Sequence, residues 1–163
     1  MHLNPWSDPR IIAKFNVTST DTATKLTYNL TGWDSSKVTS MKSMFDSSGN
    51  NANETVITGL LDLDTTHVTN MQRMFGSVKG LSIDGLNIYA TNTQSMFSYS
   101  KKINATINLY NNPDTYTEMF NNTAIDEGSS MTVNYKAAVT NIDNLIATKS
   151  ENSNVIKGSL IED

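Results

Sequence analysis

Apolar positions along the chain alternate between two periods. Runs in which every second residue is apolar, or nearly continuous short apolar runs, occur as "LTYNLTGW" (26–33), "VITGLLDL" (56–63), "LSIDGLNI" (81–88) and "ATINLY" (105–110), and these predict strands. On them Leu61/Leu63, Leu81/Ile83 and Ile107/Leu109 are expected to face one way and Asp62, Ser82/Asp84 and Thr106/Asn108 the other. Behind the first two runs the period changes. Val38, Met41, Met44 and Phe45 stand at i, i+3, i+6 and i+7, as do Val68, Met71, Met74 and Phe75, a spacing that lays one apolar stripe on a short helix. Six residues ahead of each phenylalanine sits Thr39, Thr69, Thr91 or Asp114, each suited to accept from the free N–H groups of a helix start. Thr69/Gln72 and Thr91/Gln94 have capping-box spacing, and Thr115/Glu118 offers it one place out of register.

The pattern is a repeat. Phe45, Phe75, Phe97 and Phe120 are 30, 22 and 23 residues apart, and the longest interval contains the loop-like insertion "DSSGNNANET" (46–55). One strand and one helical turn cannot bury their apolar face alone, whereas stacked copies bury it continuously. Each methionine and phenylalanine is therefore expected to lie above its counterpart in the next coil, with methionine filling irregular gaps between imperfect copies. The expected architecture is one domain over residues 1–163. Residues 1–25, with Trp6, Ile11, Ile12 and Phe15, form an N-terminal cap, and 26–135 form the solenoid. Within 130–163, "SMTVNY" (130–135) predicts a further strand, the stripe Val139, Ile142, Leu145 and Ile146 a helix, and "NVIKGSL" (154–160) a closing strand, so that 136–163 is a C-terminal cap.

"WDSSKVTSMKSMF" (33–45) and "LDTTHVTNMQRMF" (63–75) resemble the BspA-like, Mycoplasma-type leucine-rich repeat, also called DUF285. The likeness spans about residues 26–135. "NIYATNTQSMF" (87–97) departs by losing the first methionine, and "NNPDTYTEMF" (111–120) by placing Pro113 where valine belongs, which leaves a helix or only a turn open in those two units. The resemblance implies an α/β fold: a short, right-handed, leucine-rich-repeat-like solenoid with one parallel sheet, about four repeats of 22–30 residues, capped at both ends. It further implies a surface protein of a Gram-positive bacterium such as a lactobacillus. Such a protein is extracellular and wall-attached through parts of a parent protein outside this chain, and acts as a non-enzymatic adhesin or host-interaction module.

Composition narrows the chemistry. Charged residues make up 17% and the net charge is −4, while Thr, Asn and Ser contribute 59 residues, so the surface is polar through hydroxyls and amides. With Lys and Arg scattered, no basic footprint for nucleic acid or an anionic membrane is present. There is no cysteine, hence no disulfide framework or thiolate chemistry. No apolar run reaches the roughly 18 residues of a membrane span, so no membrane insertion is expected. His2 and His67 stand far apart, with no "GxSxG" turn and no acid cluster at ligand spacing, so neither a catalytic nor a metal set is expected, and no cofactor. Asp34, Asp62, Asp64 and Asp84 are read as solvated charges rather than a glycosidase pair, with calcium an open alternative.

The expected binding residues are the outward positions Asn29, Thr31, Asp62, Asp84, Thr106 and Asn108. The expected partner is a host or cell-surface protein or glycoprotein, such as a mucin or a matrix component. Two alternatives stand beside it. One is a lectin-like domain using Asn, Asp and the aromatic rings of Tyr89, Tyr99 and Tyr110; the other is a structural spacer.

Overall fold

The computed structural model describes residues 25–49 and 52–162. The expected N-terminal cap lies outside the described residues except for Lys25. Six strands run in chain order through one parallel sheet: β1 (Lys25–Asn29), β2 (Glu54–Thr58), β3 (Leu81–Ile88), β4 (Ile103–Leu109), β5 (Ser130–Tyr135) and β6 (Val155–Leu160). The chain is thus a β-solenoid of about five turns with one parallel sheet. Among the described residues no helix is long and apolar enough to cross a membrane.

The wall opposite the sheet differs from the short helices that the stripe predicts. Residues 41–48 form successive β-turns, with Met44 donating to the Met41 carbonyl, Asp46 to Ser43 and Ser48 to Phe45. Every fourth residue is left-handed, at φ 55° for Ser43 and 62° for Ser47, and the same positions recur as Arg73, Ser77, Ser95, Tyr99, Glu118 and Asn122. An α-helix cannot pass through such residues. Their reward is a second ladder: the N–H groups of Met41, Ser43, Phe45 and Ser47 donate to the carbonyls of Asn70, Gln72, Met74 and Gly76 in the next coil, at 2.7–2.9 Å. A train of i→i+3 turns has nearly the period of a helix, which is why the stripe looks helical.

The capping geometry changes accordingly. Asn70 and Asn92, rather than the threonines before them, accept the N–H two residues on, and Gln72 reaches sideways to Gln94 in the neighbouring coil at 3.1 Å. The Thr69 hydroxyl donates to the Thr39 carbonyl.

Inside, the expected ladder is present. Phe45, Phe75, Phe97 and Phe120 are fully buried and stack at centroid distances of 5.7, 5.4 and 6.1 Å, with interplanar angles of 11°, 10° and 14°. Tyr28 closes the N-terminal end of the stack edge-on at 5.3 Å. Each buried ring contributes about 1.5–3 kcal/mol through area alone, and each aromatic contact about 0.5–1.5 kcal/mol more. Beside the rings run Met44, Met74, Met96 and Met119. Where Met41 and Met71 would continue, the third coil has buried Thr93, whose hydroxyl has no hydrogen-bond partner among the described residues.

At the C-terminal end the helix is shorter than the stripe over 136–150 predicts: α1 covers Ile142–Ile146 and buries Ile142 and Leu145. The chain just after it terminates the turn ladder. Thr148 Oγ1 accepts from the Phe120 N–H at 3.2 Å and Ser150 Oγ from the Asn122 N–H at 2.9 Å, standing where the next coil's carbonyls stand elsewhere.

Candidate interaction surface

The outward face of the sheet is built from rows. Strand pairing sets Ser82 beside Asn104 and Ser130, then Asp84 beside Thr106, Thr132 and Ile156, then Asn87 beside Asn108 and Asn134. A last row continues past the strand ends as Tyr89, Tyr110 and Lys136. β3 carries an extra residue, Gly85, at φ 88°, and this bulge switches the alternation so that Leu86 stays inside and Asn87 stays outside.

Asparagine rungs tie the strands together along one of these rows. Asn108 Nδ2 donates to Asn87 Oδ1 at 2.9 Å and Asn134 Nδ2 to Asn108 Oδ1 at 3.1 Å, while Asn134 Oδ1 accepts from the Ser159 N–H at 3.0 Å. At Gly158 a Cβ would collide with Asn134 Oδ1, so only glycine leaves that amide its place. In the aromatic row, Tyr89 and Tyr110 stack at 4.6 Å and the Lys136 ammonium lies 5.9 Å from the Tyr110 ring centre. Burial first, and then the neighbouring Tyr110 and Asp64, push the Tyr89 phenol above its ordinary value.

The six expected binding residues do not form one continuous group. Asn29, at the end of β1, uses its side chain to hold the Thr31 N–H at 2.9 Å, and Thr31 lies in the turn beyond. Asn108 is a rung of the amide ladder, and Thr106 is half-buried beside Asp84. Asp62 and Asp84 do share a cleft, of about 240 Å³, lined also by Ile57, Leu61 and Ser82. Leu61 differs from its expected orientation. The chain makes a 3-10 turn over Leu60–Asp62, whose three-residue period buries Leu60 and Leu63 and leaves Leu61 53% exposed.

A second cleft of about 220 Å³ follows, with Asp64, Thr66, Asn87 and Tyr89 on its walls. Asp64 Oδ1 accepts from both the Thr66 N–H at 3.0 Å and its hydroxyl at 2.6 Å, and these bonds hold the carboxyl below its ordinary value. Asp34 is held low in the same way by Ser36. His67 is exposed, with Nδ1 3.1 Å from Thr66 Oγ1. Tyr99, the third expected aromatic, is 51% exposed on the turn wall, away from Tyr89 and Tyr110. Among the described residues no group of three or more His, Cys, Asp or Glu side chains is placed to hold a metal ion. Thr66 and Lys136 carry no motif that marks them; only the strand register, extended one residue past β3, β4 and β5, places Lys136 in the aromatic row.

The family model described as Mycoplasma protein of unknown function, DUF285, matches residues 14–133. The chain belongs to this family. No curated protein sequence and no solved structure matches it. In this DUF285 protein the matched region ends within β5, so α1 and the edge strand β6 lie beyond it.

Proposed function

We propose that this DUF285 chain is a non-enzymatic interaction module of a bacterial cell-surface protein, of the BspA-like kind and Gram-positive origin, that binds a host or neighbouring-cell macromolecule. Wall attachment falls to parts of the parent protein outside this chain. The observation that carries the reading is the outward sheet face. Its polar rows repeat at one strand spacing over β3, β4 and β5, with the Tyr89–Tyr110 pair beyond β3 and β4, and the asparagine row is held by its own hydrogen bonds before any ligand arrives. A preformed surface loses little conformational entropy on binding, which favours affinity from modest contacts. Concave or flat repeat surfaces are how solenoids commonly engage large partners. A spacer role fits less well, since six strands at ~4.8 Å cover only roughly 24 Å.

Binding of the 163-residue chain to immobilised mucins and matrix proteins tests this, using Thr106→Arg and the pair Asp62→Ala with Asp84→Ala. Saturable binding weakened at least about tenfold by either change supports the face, that factor being the loss of one good contact. Binding indifferent to both places the interaction elsewhere on the solenoid.

A further inference from the structure

The sheet is not closed along its whole length. β2 pairs with β3 only through Thr55 and Leu81, whereas β3 pairs with β4 through seven residue pairs. Beyond that point the chain of the second coil leaves β3 and enters the 3-10 turn, and the two clefts lie in the opening, on either side of Leu61. Their shared floor is β3, from Ser82 to Asn87.

The second cleft has a definite chemical character. One wall is the Tyr89 ring. One face of that ring is covered by Tyr110 from the following coil, stacked at 4.6 Å, so the ring is buttressed on that side. Leu61 offers an exposed apolar surface at the partition. Asn87 gives its carbonyl oxygen to Asn108, which leaves its own Nδ2 as a donor; Thr66 occupies Oδ1 of Asp64, which leaves Oδ2 as an acceptor. An open donor and an open acceptor beside an aromatic face call for a ligand with an apolar ring face and a rim of groups that both give and accept hydrogen bonds. Hydroxyls on a sugar ring do so. A lysine or arginine side chain only donates, so it would satisfy Asp64 while setting a cation against the Asn87 amide donor. Asp62, Asp84 and Asp64 along the opening disfavour anionic sugars by like charge.

We infer that this two-part opening is a binding site for neutral glycans, with one pyranose stacked on Tyr89 between Asp64 and Asn87 and the chain continuing past Leu61 toward Asp62 and Asp84. The inference rests on the reading of the sheet face as the interaction surface and names its ligand class.

The test is saturation-transfer NMR on the full chain with a panel of neutral methyl pyranosides and short neutral oligosaccharides at millimolar concentration. Sialylated and sulfated counterparts and a lysine-rich peptide are run alongside, together with binding to mucins and matrix proteins with and without free sugar. Expected is transfer to ring C–H protons of a neutral sugar, stronger for oligosaccharides, weakened at least about tenfold in Tyr89→Ala. Leu61→Arg, at an exposed position that leaves packing intact, is expected to abolish it, and Tyr99→Ser on the far wall to leave it unchanged. Preference for the anionic sugars or for the peptide overturns the glycan assignment while leaving the face as an interaction surface. Protein binding that ignores both free sugar and Leu61→Arg overturns the cleft and spares the broader reading. Absence of binding to every probe overturns both.

Discussion

The phenylalanine stack gives the most quantitative handle on how the coils hold one another. Phe97 lies between Phe75 at 5.4 Å and Phe120 at 6.1 Å, while Phe45 is separated from it by the whole of the Phe75 ring. Truncation to alanine would cost about 3–5 kcal/mol per ring, a large part of a total stability of about 5–15 kcal/mol, so leucine is the better probe. Phe75→Leu and Phe97→Leu each remove the same ring–ring contact. The double variant should therefore lose less than the sum of the singles by about 0.5–1.5 kcal/mol, the worth of one aromatic pair. Phe45→Leu with Phe120→Leu removes no shared contact and no shared neighbour, since Phe45 stacks on Phe75 and Phe120 on Phe97, and should be additive within about 0.3–0.5 kcal/mol. Urea unfolding followed by far-ultraviolet circular dichroism, with unchanged dependence on denaturant across the set, measures both cycles. Equal coupling in the two cycles, or none in either, would refute the claim that stabilisation passes from ring to adjacent ring.

Three further outcomes follow from single positions. Thr93→Val keeps the side-chain shape but removes a buried hydroxyl without a partner among the described residues, and should raise stability by about 1 kcal/mol, read as a melting temperature about 2–4 °C higher. Lys149 Nζ lies 2.7 Å from the Val155 carbonyl on the edge strand β6, so Lys149→Ala exposes an edge acceptor; sedimentation at rising concentration should show more self-association than for the parent chain. Asp34 and Asp64 have carboxyls lowered by hydrogen bonds from Ser36 and Thr66, so their stabilisation is complete above the ordinary value of 3.8 and is lost as pH falls through their lower folded values. Replacing both with Asn should flatten the fall in stability below pH 3.8 in acid-unfolding curves, and an unchanged slope would show that these turns do not govern acid sensitivity.

Much of this architecture is legible in the chain. Alternation in "LSIDGLNI" and "SMTVNY" gives β3 and β5 their full extents, and recurrence of Met-Phe gives the stacked core. The wall opposite the sheet is not legible as such, because turns and helices space apolar residues alike, and only the φ angles of Ser43, Arg73 and Ser95 separate them. Leu61 is misread for a related reason: one 3-10 turn after Thr58 replaces a period of two by a period of three. Asp62 and Asp84 line one cleft, although Asp62 stands on the 3-10 turn and not on a strand. The placing of Asp64 and Asn87 along one cleft with Tyr89 depends on the bulge at Gly85, which shows in the chain only as a change of phase, from apolar 81 and 83 to apolar 86 and 88, and on the turn that carries Asp64, which shows no period of its own.

The forward-pointing bonds of the turn wall make the solenoid a directional object. Between residues 41 and 47, and again in the coils above, every inter-coil N–H is aimed at the following coil, so among the described residues one end of that wall presents donors and the other acceptors. Two copies meeting head to head would bring like groups together; head to tail they would match, and such a contact repeats without closing, as in a filament. The hydroxyls of Thr148 and Ser150 accept two of the terminal donors within the chain itself. Two small side chains thereby help turn a geometry suited to endless polymerisation into a finite molecule.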